Sequence, residues 1–219
     1  LSYTERHAKT RAEGTLFLTK LNSTLSNIKN NNLKRDDSLL FTATAYLMDS
    51  ALIQLRVKES YTDSLSGFLL TLRMRPTNLS FLNPVLAPLS NVKIKSGSID
   101  SMQIRAIGKE SLALGEMNMF YHDLSIRLIK DGDENNTTFL RNVASFLANT
   151  ILIKKNNNGR TGLVYFERLR DRSFFNYIVK MTFSGMATSI GVIKNSKYRK
   201  QYQKELKKRN LPDFEENLQ

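Results

Sequence analysis

The chain of 219 residues is long enough for one large β domain or two small ones, and 41% hydrophobic residues are enough for a buried core. It contains no cysteine, which excludes disulfides, thiolate metal ligands and cysteine nucleophiles. The net charge of +13 predicts an anionic partner, such as a phospholipid surface, a lipopolysaccharide or nucleic acid. Residues 194–209 hold eight Lys or Arg and one Glu, so +7 of that charge lies in one short segment.

The N-terminal segment, residues 2–29, mixes polar and apolar side chains at short period. Leu16 and Leu18 alternate with Thr15, Phe17 and Thr19, which is typical of a half-buried strand. Residues 27–37 are rich in Asn, Lys and Asp, and this composition predicts a loop.

Residues 39–58 carry the clearest pattern in the chain. Nine of the ten odd positions are apolar, Asp49 being the exception, and the even positions are mostly polar. Twenty residues of period two predict one very long strand of about 65 Å, which is typical of an elongated sheet. The alternative is two strands joined by a tight turn at Asp49 and Ser50. We expect Asp49 to have a structural partner, because an unpaired buried carboxylate is costly.

Residues 68–74 alternate again and complete a hairpin with the preceding strand. Residues 78–91 predict a short, broken helix whose length Pro84 and Pro88 limit.

Two further strands are predicted over residues 92–107 and 112–129, each with an irregularity. Gly97 lies inside the first and indicates a bulge or a close backbone contact. In the second, the apolar positions change parity near Asp123, as a β-bulge would produce. Helical spacing follows over residues 139–149, and residues 151–153 and 161–166 predict a hairpin around an Asn-Asn-Asn-Gly turn.

The C-terminal region has a different character. Residues 173–193 are apolar nearly all round a helix, with Lys180 as their only charge, so this helix is buried or in contact with lipid. Its polar residues make a membrane span the weaker interpretation, and we expect it to pack on the sheet or plug its open end. Residues 196–209 predict a basic helix with a narrow apolar stripe. We therefore predict a sheet domain over residues 1–172, part of a longer sheet, and a helical region over residues 173–219.

The fold class predicted is mainly β with minor α: an elongated, strongly twisted antiparallel sheet that forms a trough, with short helices and a long C-terminal helix. The sequence offers little chemistry. His7 and His122 are the only histidines, and no Gly-x-Ser-x-Gly elbow or phosphate-binding Gly-Lys-Ser loop is present. Carboxylates occur singly. We predict no catalytic residue, no metal site and no cofactor, hence a protein that is not an enzyme.

A set of motifs resembles the C-terminal region of the large AsmA-like proteins of Bacteroidetes. The resemblance covers most of residues 39–209, while residues 1–38 match only loosely. The motifs that carry it lie at residues 46–51 (Tyr-Leu-Met-Asp-Ser-Ala), 82–89 (Leu-Asn-Pro-Val-Leu-Ala-Pro-Leu), 94–99 (Ile-Lys-Ser-Gly-Ser-Ile), 115–117 (Gly-Glu-Met), 121–124 (Tyr-His-Asp-Leu) and 160–162 (Arg-Thr-Gly).

The resemblance implies a periplasmic protein anchored to the inner membrane through a segment that is absent from this chain. It implies a long, curled sheet with an apolar inner face, related to that of TamB-like proteins. The implied role is the passage of phospholipids between the inner and outer membranes, or support of outer-membrane assembly.

The residue pattern is compatible with that role, because a one-sided apolar sheet bent by bulges can shield acyl chains at about 0.8 kcal/mol per buried methylene. The alternative is a closed core beneath the helices. The residues predicted to line the trough are Phe41, Ala43, Ala45, Leu47, Ile53, Leu55, Phe68, Leu70, Leu72, Ile104, Met117 and Met119.

The basic tail predicts contact with an anionic membrane surface, and nucleic acid is the weaker candidate for it. An envelope protein bound through sheet edges or the C-terminal helix is the alternative partner. The residues predicted to contact the anionic surface are Lys194, Lys197, Arg199, Lys200, Lys204, Lys207, Lys208 and Arg209.

Overall fold

The computed structural model describes residues 1–7, 10–35, 37–62, 67–90, 92–128 and 154–209. Its nine strands form one open antiparallel sheet in the order β1-β2-β3-β4-β5-β7-β8-β9, and β6 pairs with β7. This confirms the predicted mainly-β class. The strands are β1 (Ser2–Arg6), β2 (Glu13–Ser26), β3 (Ser38–Leu47), β4 (Ala51–Ser60), β5 (Gly67–Met74), β6 (Thr77–Asn78), β7 (Val92–Lys109), β8 (Leu112–Leu128) and β9 (Thr161–Glu167).

Helical segments lie between β6 and β7 and after β9. A 3₁₀ turn (Leu79–Leu82) runs into α1 (Asn83–Ser90), which contains Pro88. Beyond β9, the predicted C-terminal helical segment is divided into α2 (Phe174–Ile190) and α3 (Asn195–Arg209). The division falls at Gly191, whose left-handed backbone (φ 86°) ends α2.

The prediction of one twenty-residue strand over residues 39–58 is wrong, and its two-strand alternative is correct. Leu47 to Ser50 form a tight turn in which the Ser50 N–H donates to the Leu47 carbonyl at 3.1 Å. Met48 (φ 54°) and Asp49 (φ 53°) both have left-handed backbones, the signature of a type I′ turn. Because the pairing opposes odd positions to odd positions, such as Ala45 to Ile53, the apolar alternation continues through the turn.

The two predicted irregularities are confirmed. The β7–β8 register shifts between Ile94 and Ser101, around Gly97 at φ 131° and Asp123 at φ 55°. A third shift lies in β2 at Lys20 (φ 48°), where no sequence signal predicted it. Such bulges bend strands and increase their twist.

Helices α2 and α3 lie on opposite faces of the sheet. Met117, at an odd position of β8, belongs to the same buried cluster as Met181 of α2. Leu114, at an even position of β8, packs instead with Tyr202 and Leu206 of α3. Since successive strand residues point to opposite faces, α2 covers the inner face of the sheet and α3 covers the outer face.

The predicted helix over residues 139–149, the strand over residues 151–153 and the C-terminal residues 210–219 lie outside the described residues. The second strand of that predicted hairpin is observed as β9, which pairs with β8. Among the helices that the structure describes, none combines the length and the apolar character that a membrane crossing requires.

Candidate functional site

The strand register places all twelve predicted trough residues on one face of the sheet. One cross-strand row joins five of them directly, each opposite the next on the adjacent strand. The row runs through Ala43, Leu55, Leu72, Ile104 and Met117. We call this apolar inner face the trough.

Burial in the trough increases from β3 towards β8. Eight of the predicted residues are buried: Ala45, Ile53, Phe68, Leu70, Leu72, Ile104, Met117 and Met119. The remaining four, Phe41, Ala43, Leu47 and Leu55, are only half-buried. The trough is therefore covered over its β5–β8 part and partly open over β3 and β4.

Helix α2 provides that cover. Tyr177, Ile178, Met181 and Met186 are buried in the main core together with the trough residues. The sequence pattern predicted a helix on the sheet, but it gave no indication of which strands the helix contacts. Those contacts are non-local and depend on how the sheet curls.

Between the helix and the trough lies a cavity of about 90 Å³, which we call the first cavity. Of the described lining side chains, Thr182 alone carries a polar group, and its hydroxyl donates to the Ile178 carbonyl at 2.9 Å. A lining of this kind favours apolar ligands. Its lining residues are Leu16, Leu18, Leu47, Ile53, Leu55, Leu72, Met74, Phe81, Leu82, Phe175, Ile178, Val179, Thr182, Phe183 and Met186.

A second cavity of about 60 Å³ lies further along the same helix. Its lining is entirely apolar. The lining residues are Leu79, Leu82, Leu86, Val92, Ile94, Met119, Leu124, Ile126, Phe183, Met186, Ala187, Ile190 and Val192.

The positions of α2 and α3 are fixed at strand β9 by side chains that bond to the strand's outer edge. The Asn195 side chain accepts from the Leu163 N–H at 3.0 Å and donates to the Thr161 carbonyl at 2.7 Å. The Thr188 hydroxyl donates to the Leu163 carbonyl at 2.8 Å.

Ser184, one turn earlier on α2, continues this pattern. Its hydroxyl donates to the Tyr165 carbonyl at 2.9 Å and lies 3.3 Å from the Tyr165 N–H. Side chains of α2 and α3 thus take the place of a further strand, which blocks edge-to-edge pairing at β9.

Close packing also requires glycine at this contact. A Cβ at Gly162 would lie 2.3 Å from the Ser189 hydroxyl and 2.7 Å from the Gly185 carbonyl. The end of α2 is held by Arg160, whose guanidinium donates to the Ser189 carbonyl. A cation at a helix C-terminus is also favoured by the helix dipole.

At the opposite end of the sheet, β1 contacts the same helix through polar side chains. Lys180 bonds both carboxylate oxygens of Glu5, at 2.7 and 2.6 Å, and the Asn176 amide donates to the Tyr3 hydroxyl at 2.9 Å. Burial raises the pKa of Tyr3, and the nearby Glu5 carboxylate raises it further. Both terminal strands therefore contact α2, which means that the sheet curls around the helix.

The predicted cationic residues project from the outer face at or just before α3, except Arg209, whose side chain lies outside the described part of the structure. Lys194 precedes the helix, and it is exposed together with Lys197, Arg199, Lys200, Lys204, Lys207 and Lys208. The predicted stripe of Tyr198, Tyr202 and Leu206 faces the sheet, where Tyr198 stacks on Tyr165 with ring centroids 5.5 Å apart. Burial, followed by the hydrogen bond to Glu167, raises the pKa of Tyr165 to about 12.

The histidines and Asp49 have structural partners. His7 accepts from the Thr10 N–H at 3.0 Å, and His122 lies 2.9 Å from a carboxylate oxygen of Asp100. Asp49 accepts a hydrogen bond from Thr19 in the exposed turn, so it does not interrupt the buried face. Within the described ranges, no group of three or more histidine and acidic side chains gathers in one place.

No protein-family model matches the chain, and neither a curated protein nor a solved structure is significantly similar to it. The geometry of the trough and of α3 therefore stands as the basis for a functional proposal.

Proposed function

We propose that this chain is a non-enzymatic lipid-binding module that holds phospholipid acyl chains in the trough beside α2. The observation that carries the proposal is the first cavity, an apolar space of about 90 Å³ between α2 and the half-open part of the sheet. Apolar cavities of this kind accept hydrocarbon, and each methylene removed from water contributes about 0.8 kcal/mol.

The chemistry of the lining supports hydrocarbon over a polar ligand. A site for a polar small molecule needs a few placed donors or acceptors among its apolar walls. The hydroxyl of Thr182, the one that the described lining of the first cavity contains, is already bonded within its own helix. The half-buried Leu47 and Leu55 connect this lining to the open part of the trough.

The charge on α3 supports contact with an anionic membrane surface. Clustered Lys and Arg near such a surface gain about 1 kcal/mol each. Together with the resemblance to AsmA-like proteins, this leads us to propose a periplasmic module, anchored to the inner membrane, that takes part in phospholipid passage towards the outer membrane.

A second candidate is binding of an envelope protein, for which exposed apolar side chains on β2 and the loop after it are the favouring observation. Leu21, Leu25, Ile28 and Leu33 are all exposed. They lie within thirteen residues of the sequence, and a contiguous apolar surface marks interaction sites. Co-purification of a defined protein partner in the absence of lipid would favour this candidate.

The test of the lipid proposal is displacement of a fluorescent fatty acid from the full chain, with a variant that fills the first cavity. Leu55→Trp places a larger side chain in the lining, and we expect it to weaken binding at least tenfold. Leu69→Trp is the matched control, because Leu69 is 51% exposed and its position on β5 faces outward.

Binding that is unaffected by Leu55→Trp, or weakened equally by Leu69→Trp, would contradict a site in the first cavity. Circular dichroism melting of both variants separates loss of the site from loss of the fold.

A further inference from the structure

The two cavities beside α2 share part of their lining. Among the described residues, Leu82, Phe183 and Met186 are the ones that border both of them. The cavities therefore lie on the two sides of one apolar partition, along a single path between α2 and the sheet.

The partition consists of side chains from α2 and from the 3₁₀ turn. Phe183 and Met186 are three positions apart on α2, so they lie on the same face of the helix. Phe183 is only half-buried, whereas Leu82, from the 3₁₀ turn, and Met186 are buried.

The two cavities differ in their relation to the open part of the trough. The first cavity includes the half-buried Leu47 and Leu55 of β3 and β4. The second is lined by the buried Val92, Ile94 and Met119 and by the half-buried Leu86, Ile126 and Ile190, and none of these residues belongs to β3 or β4. An acyl chain that enters from β3 and β4 would therefore fill the first cavity and meet Phe183 and Met186 before it reached the second.

We propose that Phe183 and Met186 determine how long an acyl chain this module accepts, by separating the first cavity from the second. This inference rests on the proposed lipid-binding function and adds its specificity determinant. In the native protein the chain end stops at the partition. Removal of the Phe183 ring joins the two spaces and lengthens the path available to hydrocarbon.

The test is a chain-length series with saturated fatty acids of eight to eighteen carbons, each measured by displacement of a fluorescent fatty acid from the full chain. Affinity rises about fourfold per methylene while each added methylene is buried, as follows from about 0.8 kcal/mol per methylene. For the native protein, we expect the affinity to stop rising at one chain length. For Phe183→Ala, the affinity should continue to rise for about two or more carbons beyond that length.

Ile190→Ala is the matched control, because Ile190 lines the second cavity alone. It enlarges that cavity and leaves the partition in place, so its series should stop rising where the native series does. Met186→Ala tests the partition a second time and should extend the series as Phe183→Ala does. Melting curves establish that each variant is folded.

The outcomes separate this inference from the function on which it rests. If the native protein binds fatty acids and all variants stop rising at the native length, the partition is refuted and the lipid-binding proposal remains. If Ile190→Ala extends the accepted chain length as much as Phe183→Ala does, the partition is also refuted, because a general loosening of the core would explain both results. If the native protein binds no chain of any length, the lipid-binding proposal itself fails.

Discussion

Lys180 of α2 forms an ion pair with Glu5 of β1 at 2.6 Å, although 175 positions separate them in the sequence. The same helix is bonded to β9, the last strand of the sheet, through Thr188 and Ser184. One helix therefore joins the two terminal strands of the sheet on its inner face. The curl that shapes the trough depends on both contacts.

The first prediction concerns the ion pair. Its side chains are only 12% and 22% exposed, so removal of one partner leaves a poorly solvated charge. We expect Glu5→Gln or Lys180→Met to lower the free energy of unfolding by about 1–3 kcal/mol. The double variant should lose less than the sum of the two, as measured by urea denaturation in a double-mutant cycle.

Arg6 and Glu13 provide the control cycle, because their ion pair joins β1 to β2 with side chains that are 60% and 47% exposed. An exposed pair contributes about 1 kcal/mol or less. Equal coupling energies in the two cycles would show that the ion pair between β1 and α2 contributes no more to stability than an exposed pair does.

A second prediction tests the side-chain cap on β9. Thr188→Val keeps the shape of the side chain but removes the donor to the Leu163 carbonyl, which is then left buried without this partner. We expect a loss of about 1–3 kcal/mol in the free energy of unfolding. Thr182→Val is the control, because that hydroxyl donates within α2 and is only partly buried. A similar loss for both variants would contradict the cap.

A third prediction concerns the close approach of α2 to β9. Gly162→Ala introduces a Cβ within 2.7 Å of the Gly185 carbonyl, so the helix must shift. Overpacking of this kind costs about 1–3 kcal/mol. Gly159→Ala meets no atom within 4 Å and should change stability by about 0.5 kcal/mol or less. Thermal melting of the two variants distinguishes them, and an unchanged Gly162→Ala protein would refute the close contact.

The fourth prediction is the pH dependence that follows from Tyr165. Its pKa is raised from 10.0 to about 12 in the folded protein, chiefly by burial, so folding favours the neutral hydroxyl. The stabilisation is fully present below pH 10 and is lost as the pH rises through about 12. Tyr165→Phe cannot ionise, so the stability of the native chain relative to this variant should fall between those pH values. A difference in Tm that stays constant over that range would contradict the shifted pKa.

The fifth prediction separates α3 from the general positive charge. We expect Lys200→Gln, Lys204→Gln and Lys207→Gln together to weaken binding to vesicles that contain phosphatidylglycerol. At about 1 kcal/mol per lysine, the loss is on the order of a hundredfold.

The control removes the same charge from exposed lysines on the sheet, at Lys58, Lys93 and Lys95. It should weaken vesicle binding far less, as measured by co-sedimentation at constant ionic strength. An equal loss in the two triple variants would attribute binding to net charge and not to α3.

The sequence predicted the face of each strand better than it predicted where the strands end. The common face of residues such as Ala43 and Met117 follows from period two, because side chains alternate between the two faces of a strand, whereas the row that joins them depends on the register of the strands. The central residues of the turn are Met48 and Asp49, one position before the predicted Asp49 and Ser50, and they are not the usual Asn-Gly or Asp-Gly of such turns. The pairing of odd positions with odd positions also concealed the turn, because the apolar alternation continues through it.

The cavity linings could be predicted only in part. Leu47, Ile53, Leu55 and Leu72 were identified from strand alternation, whereas Phe183 and the other α2 residues were missed. Helix α2 is apolar on nearly all sides, so its periodicity does not indicate which side meets the trough. The polar residues that had argued against a membrane span, such as Thr188, prove to cap the β9 edge.

Native mass spectrometry with lipid extraction, on the full chain purified from a Gram-negative host, tests the central claim most directly. The account predicts stoichiometric phospholipid on the native protein and on Leu69→Trp, and its loss from Leu55→Trp. A folded native protein that carries no phospholipid, and takes none up from added vesicles, would contradict a lipid-binding trough and mean that α2 closes an ordinary core.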